Sequence, residues 1–226
     1  MDTLWTQAEL EALKKIDSPT LSNAIETFNL RPRTEGYLGP EIQCRFPKLG
    51  VMVGYALTVT FDTRQPGEAR NWDMLFKVFE AVQATPKPVV AVFKDLSKKR
   101  GWAAYWGEVM TTIMKKLGTV GVITDGAVRD LEQVEKIGFH FFSSTVVVSH
   151  GDLKIVDINT PVEITGVTIT PGDLLHGDLN GVVLIPREIA KDVVAASQKI
   201  LQHESKILKV ISQENFDPSQ LREFYH

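Results

Sequence analysis

A single cysteine, Cys44, stands in the 226-residue chain, so no internal disulfide can form. That suits a reducing compartment. No activating histidine or helix start lies near Cys44, and it reads as a small inert residue rather than a nucleophile. No apolar stretch reaches membrane-spanning length. The opening Met1-Asp2-Thr3-Leu4-Trp5 is acidic and lacks a basic region followed by a long apolar run, so no signal peptide is expected and a cytoplasmic location is. An excess of positive charge is also missing. The net charge of -3 argues against general nucleic-acid binding, and the cluster Lys98-Lys99-Arg100 reads as solvated surface. No glycine-rich phosphate loop or dinucleotide fingerprint is present. His140, His150, His176 and His203 show no paired metal-ligand spacing, which leaves them core or surface roles. Asp178-Leu179-Asn180-Gly181 matches part of a calcium loop, but the rest of that loop is absent and a hairpin turn explains it. There is no internal repeat and no low-complexity segment.

What is present is an ordinary globular composition, 43% apolar and 23% charged, enough for a core without staples. One domain over residues 1–226 is expected, with a helical N-terminal segment and a C-terminal helix and tail. Ser18-Pro19-Thr20 reads as a helix entry, with Leu21, Ala24, Ile25 and Phe28 on one face. Prolines and glycines crowd residues 31–50, an irregular connection. A β-rich run follows at 52–60, helical spacing at 71–83, and a fully apolar strand at 89–93. Val109, Met110, Ile113, Met114 and Leu117 make a helix face that Gly118 stops. Residues 120–124 read as a buried strand, Asp125-Gly126 as a turn, and Leu131, Val134 and Ile137 as a short helix ended by Gly138. This alternation implies a partly parallel sheet and an α/β fold. Residues 139–185 are β-rich, closing with a strand at 181–185. Pro186 is expected to open a long C-terminal helix, and the chain after Asp217-Pro218 is a short polar tail.

Two loops carry candidate chemistry. Gly107 precedes a helix beginning near Glu108; the first amides of a helix lack internal partners and can hold a carboxylate or phosphate. Arg129 and Asp130 follow the apolar strand at 120–124, in the crevice where open α/β sheets place ligands. Arg129 can grip a carboxylate with two parallel bonds. Asp130 admits two readings. It supplies a hard oxygen suited to Mg²⁺, and with Gln133 it also fits a capping box for the helix at 131–137.

Glu108, twenty intervening residues, then Arg129-Asp130 form a pattern that resembles the RraA-like family, which includes metal-dependent aldolases of 4-hydroxy-4-methyl-2-oxoglutarate and 4-carboxy-4-hydroxy-2-oxoadipate. The flanking text 121–130, Pro171-Gly172-Asp173 and 177–183 resembles it too. The likeness covers roughly residues 18–211. It implies a layered αββα sandwich similar to swivelling phosphohistidine domains. It implies that Gly107, Glu108, Val109 and Met110 hold the carboxylate of a small 2-oxo acid and that Arg129 binds its oxo-acid end. Asp130 would ligate Mg²⁺ or Mn²⁺, and Glu108 would hold water at the metal. Retro-aldol cleavage to pyruvate and decarboxylation of oxaloacetate are the expected reactions. The resemblance further implies homotrimers or homohexamers with sites between subunits, completed by a glutamate from a neighbour's C-terminal helix, for which Glu204 is the candidate. No nucleic acid or membrane partner is expected.

Two departures concern the substrate. The family pattern usually has Asp where this chain has Glu108, a change able to move bound water by about an ångström. Trp102-Ala103-Ala104-Tyr105-Trp106 is unusually aromatic, either shaping a substrate pocket or packing beneath the loop. Two rival functions remain at this point. One is a non-enzymatic regulator that, like the RraA proteins of the family, inhibits an RNA-degrading enzyme by protein contact. The other is a quinone methyltransferase, which no nucleotide-binding loop supports.

Overall fold

The computed structural model describes residues 5–63, 68, 72–189 and 192–224. The opening Met1–Leu4, Asn71 at the expected start of the second helical stretch, and Ala190 and Lys191 ahead of the last helix lie outside them. Two capped helices begin the chain. Before α1 (Gln7–Leu13), the Thr6 hydroxyl accepts from Glu9 N at 3.3 Å and Glu9 Oε2 accepts from Thr6 N at 2.7 Å. Two amides left over by the helix start are thus satisfied reciprocally. α2 (Ser18–Glu26) is capped by Asp17, whose carboxylate accepts from Thr20 N at 2.8 Å. The expected entry at Ser18-Pro19-Thr20 therefore lies just inside its cap. The breaker-rich segment 31–50 stays largely irregular, holding only β1 (Gln43–Cys44) and a 3-10 turn at Pro47–Leu49.

The strand–helix alternation then builds the sheet. β2 (Met52–Thr63), α3 (Trp72–Ala84), β3 (Val89–Asp95), β4 (Ala104–Trp106), α4 (Glu108–Lys116), β5 (Thr119–Val128), α5 (Leu131–Ile137) and β6 (His140–Val146) follow in order. β6, β5, β3 and β2 lie side by side and parallel. Successive right-handed crossovers that step across a sheet in one direction put their helices on one face. Accordingly Val78 and Val82 of α3, Met114 of α4 and Val134 of α5 share one core with Leu57, Ala91, Val122 and Phe141 of the strands.

β2 is the longest strand and serves two neighbours on its other edge. β7 (Leu153–Ile158) pairs antiparallel with Val59–Thr63, and β10 (Leu174–Asp178) with Met52–Tyr55. β11 (Gly181–Ile185) returns beside β10 through the turn Leu179-Asn180, the hairpin expected there. α1, α2 and the last helix, α6 (Val193–Ile211), pack on Val53, Tyr55, Leu174, Val183 and Ile185. The opposite face, with Met52, Val90, Val92, Ile123 and Phe142, is covered by the small sheet of β8 (Val162–Ile164) and β9 (Val167–Ile169). The result is a layered α/β fold around a mixed sheet of nine strands among the described residues, the fold class expected from the sequence. No helix among the described residues is long and apolar enough to cross a membrane.

Three local expectations are corrected. Asp125-Gly126 does not turn the chain: β5 runs through it to Val128, and the pairing with β6 shifts register between Thr124 and Ala127. The Asp-Gly pair makes a bulge instead, because the Asp125 carboxylate is tied down by Lys94 Nζ at 2.7 Å and Asp95 N at 2.8 Å. Arg100 also reaches Asp125, at 3.4 Å, so one member of the Lys98-Lys99-Arg100 cluster is an ion-pair partner of a buried acid. Pro186 does not open the long helix. It precedes a separate 3-10 turn, Arg187–Ile189, and α6 begins at Val193; proline suits either first turn, so the residue alone does not distinguish them.

The buried histidines are held neutral. His176 has Nδ1 3.0 Å from Ser18 Oγ and Nε2 3.0 Å from Ile16 O, so it pins the α1–α2 corner to β10. Burial lowers its pKa. His140 stacks on Phe142 and its pKa falls to about 4, first through burial and then through Lys14. In the unfolded chain such a group protonates near its ordinary value of about 6.5. Lowering the pH from 6.5 towards 4 therefore favours the unfolded chain, and stability is lost over that window. Between pH 7 and pH 5 the loss attributable to His140 is about 2 kcal/mol. Urea unfolding at the two pH values checks this: His140→Phe should shrink the difference by about that amount.

Candidate functional site

β4 brings the two candidate loops together. It pairs parallel with the end of β5, Ala104 beside Ala127 and Trp106 beside Val128. Gly107-Glu108 and Arg129-Asp130 therefore leave the same end of the sheet side by side. Arg129 N donates to Trp106 O at 2.9 Å and closes the pair. Asp130 then takes a left-handed conformation, φ 58° and ψ 43°, which costs energy in a residue with a side chain. Its Oδ2 accepts from Glu108 N at 2.9 Å and lies 3.6 Å from Arg129 Nε.

The capping-box reading of Asp130 with Gln133 is thus overturned. Asp130 stands at the N-cap position of α5 but makes no side-chain cap bond there. Its left-handed backbone aims the carboxylate across the site to the start of α4. It caps a helix that lies twenty-two residues earlier in sequence.

Gly107 is explained by that approach and not by its own dihedrals, which are extended at φ −150° and ψ −168°. A Cβ there would sit 2.5 Å from Asp130 Oδ2 and 3.1 Å from Arg129 Cγ and Nε. Only a residue without a side chain lets the arginine and aspartate close over the helix start. Thr111 N is the first amide of α4 to bond back, to Gly107 O at 3.0 Å. The amides of Val109 and Met110 stay available at a positive helix end.

Arg129 keeps 34% of its side chain exposed and extends towards Val148 O at 3.5 Å. Asp130 is exposed to the same degree, and its Oδ1 has no partner among the described residues. No group of three or more His, Cys, Asp or Glu gathers among them. A divalent cation here would have one carboxylate oxygen and otherwise water, a donor set that fits the hard, water-retaining Mg²⁺ and not a softer metal needing several side chains.

Glu204 is not brought to this group. It is half-buried on α6, which packs on α1 and α2 beside β10 and β11, away from β5. Cys44 is half-buried and burial pushes its thiol pKa up, so it stays protonated. The aromatic segment 102–106 divides. Trp106 is fully buried against Phe93 and Phe139, and Tyr105 packs on Phe61 and Phe93. Trp102 lies exposed under Lys99.

Sequence reasoning missed the brace beneath the site. Asp95, fully buried at the end of β3, accepts from Ser97 N at 2.8 Å and Gly101 N at 2.9 Å, fixing the loop that leads into β4. An aspartate closing an apolar strand was the available signal.

A family model described as RraA-like, Aldolase/RraA, matches residues 18–184. This chain belongs to the RraA-like family. Its relatives include a protein of Halalkalibacterium halodurans named "Putative 4-hydroxy-4-methyl-2-oxoglutarate aldolase", 34% identical over 149 residues, 66% of each chain. Two further curated relatives match over half or less of their own length. Among solved structures, an uncharacterized protein from Pseudomonas syringae pv. tomato superposes with a TM-score of 0.78 at 27% identity, covering all of this chain and 97% of that one. RraAS2 of Streptomyces coelicolor, titled an unusual member of the RNase ES inhibitor RraA protein family, superposes with a TM-score of 0.72 at 21% identity over 90% of this chain and 98% of that one. That likeness shows the fold alone.

Gly107→Ala should force the Arg129–Asp130 pair away from α4. A methyl group inserted into so close a contact costs on the order of 1–3 kcal/mol. Thermal and urea unfolding should both show that loss, and an unchanged midpoint would mean the 2.9 Å contact is not held in solution.

Proposed function

We propose that this RraA-like protein is a divalent-metal-dependent lyase acting on a small 2-oxo acid, releasing pyruvate by retro-aldol cleavage. One observation carries the reading: Asp130 and Arg129 are drawn onto the N-terminus of α4 by the 2.9 Å bond to Glu108 N, leaving two helix amides and one carboxylate oxygen available. A structural cap alone would not need the arginine beside it or the left-handed backbone of Asp130.

The chain's own residues divide the work. Amides of Val109 and Met110 with Arg129 bind the substrate carboxylate, as backbone donors at a helix start and a forked guanidinium both suit a planar anion. Arg129 also faces the 2-oxo oxygen, where negative charge grows as the C3–C4 bond breaks and its electron pair moves into the pyruvate enolate. Glu108, exposed in the first turn of α4, is the carboxylate that receives the C4 hydroxyl proton, directly or through water. The departing C4 fragment leaves as an aldehyde or ketone, and protonation of C3 yields pyruvate. Asp130 would hold Mg²⁺ or Mn²⁺, which when bound supplies positive charge at the 2-oxo oxygen. Oxaloacetate gives the same enolate on losing CO₂, so decarboxylation follows from the same residues.

Release of pyruvate from 4-hydroxy-2-oxo acids and from oxaloacetate, measured with Mg²⁺, with Mn²⁺ and with EDTA, tests the reading. EDTA should abolish turnover. Arg129→Ala and Asp130→Ala should each lower kcat/KM by on the order of a hundredfold or more. Metal-dependent turnover that survives both substitutions rules the assignment out. Complete absence of turnover with every substrate would favour the second reading, a regulator acting by protein contact. The exposed apolar side chains of Val109 and Val148 beside the site give that reading its footing.

Within one chain Glu204 lies apart from Arg129, so its part in catalysis requires a neighbouring copy in a homotrimer or homohexamer. Inactive Arg129→Ala and Glu204→Ala proteins, unfolded together and refolded as a mixture, should regain activity in about a quarter of their sites if each site takes one residue from each copy. A mixture as inactive as its components would remove Glu204 from the site.

A further inference from the structure

α4 joins β4 to β5 and α5 joins β5 to β6, each pair of strands being parallel. Both helices therefore return against the strand direction and run the same way, side by side. Their starts are tied by the 2.9 Å bond from Glu108 N to Asp130 Oδ2. Their ends are tied as well. Lys115, in the last turn of α4, donates through Nζ to Ile137 O and reaches Gly138 O at 3.4 Å. Glu108 and Lys115 stand two helical turns apart on one face of α4, about 10 Å from each other along its axis. A single face of α4 thus holds both ends of α5.

The second tie bears on the first because α5 has little else to hold it. Running from Leu131 to Ile137, it is shorter than a helix that persists by itself. Val134 is its one fully buried residue, with Leu131 and Ile137 partly buried beside the core. The last carbonyls of a helix lack partners inside it. Gly138 N returns to Glu135 O at 2.9 Å, and Lys115 supplies a donor for Ile137 O. Its charge also faces the negative end of the helix dipole. Asp130 stands immediately before α5 and carries the left-handed backbone, a conformation that costs energy in a residue with a side chain. Fraying or sliding of α5 would let that backbone relax and swing the carboxylate off Glu108 N.

We infer that Lys115 is a positioning residue. By capping the C-terminus of α5 it keeps the Asp130 carboxylate on the start of α4, and with it the placing of Arg129 beside the amides of Val109 and Met110. Its effect on metal binding and turnover rests on the lyase reading, whereas its effect on the Glu108 amide does not. The size of the effect is bounded. A contact cannot shift a conformational equilibrium by more than its own contribution, and a cation at a helix C-terminus is worth a factor of about two to five.

The test compares the whole wild-type chain with Lys115→Met, Lys115→Gln and Lys115→Arg. Lys116→Met, at an exposed neighbour in the same turn, serves as the control. Hydrogen exchange is resolved at the Glu108 amide, Mn²⁺ affinity is read from the electron paramagnetic resonance of the free ion, and pyruvate release from 4-hydroxy-4-methyl-2-oxoglutarate is followed at limiting and saturating Mn²⁺. In both neutral Lys115 variants the Glu108 amide should exchange about fivefold faster and Mn²⁺ should bind about fivefold more weakly. The Thr111 amide, bonded within α4 to Gly107 O, should exchange as in the wild type. Turnover should fall at limiting Mn²⁺ and recover at saturation, because the metal selects the positioned state. Lys115→Arg, which keeps the cation, and Lys116→Met should behave as the wild type. Glu108 exchange that is unchanged in both neutral variants, or accelerated equally by Lys116→Met, overturns the positioning role. Faster exchange with unaltered Mn²⁺ affinity and turnover overturns the part of Lys115 in the site and leaves the lyase standing. Neither Mn²⁺ binding nor pyruvate from the wild type overturns the lyase reading, and the Glu108 amide then decides for or against Lys115 by itself.

Discussion

One hydrogen bond organises the candidate site of this molecule, the 2.9 Å contact from Glu108 N to Asp130 Oδ2. It joins the start of α4 to the loop after β5, and several costly features make sense only with it. Asp130 bears a left-handed backbone. Gly107 has no side chain because a Cβ would collide with the same carboxylate oxygen. An acid at a helix N-terminus is stabilised by the unbonded amides and by the helix dipole, which offsets the local strain. The contact also limits what remains: one amide of α4 is consumed, while the next two stay available for a ligand.

The sheet exists to make this meeting possible. Parallel pairing of β4 with β5 sets two loops at one edge level, and the buried acids behind them hold that level. Asp125 ties β5 to Lys94 and Arg100, while Asp95 gathers the amides of the loop into β4. Each buried carboxylate is fully engaged, as the cost of desolvating a charge requires. The two candidate loops thus rest on a braced base. Their outer surfaces, Arg129, Asp130 and Val109, stay open.

Legibility in the sequence followed the range of the interactions. Several elements whose signal is local and periodic were readable to within a residue or two, whereas β2 and β5 run three and four residues past their expected ends. β11 was placed at its observed bounds, and α5 with its Gly138 stop was found because one helix face and a left-handed glycine cap are written in consecutive residues. Local motifs that depend on context misled. Asp125-Gly126 has turn chemistry, yet a lysine and an arginine from other segments hold Asp125 inside a strand. Asp130-Gln133 has capping spacing, yet the carboxylate bonds elsewhere. Pro186 suits a helix start and serves a short turn instead.

The sequence by itself determined the inventory: a mixed α/β chain, an arginine–aspartate pair beyond a buried strand, and a glycine–glutamate pair before a helix. It determined these because periodicity, capping residues and motif spacing are properties of neighbours along the chain. Only the tertiary structure decided what the pairs do to each other. The direction of the Asp130 carboxylate depends on a backbone dihedral and on a helix twenty-two residues away. A separate cavity is assembled from α3, β4, α4, the loop at 150–152 and β7, segments with no shared pattern in sequence. Burial and side-chain direction arise from non-local packing, so the pair first read as an arginine beside a helix cap became, through its place in the fold, a clamp on another helix.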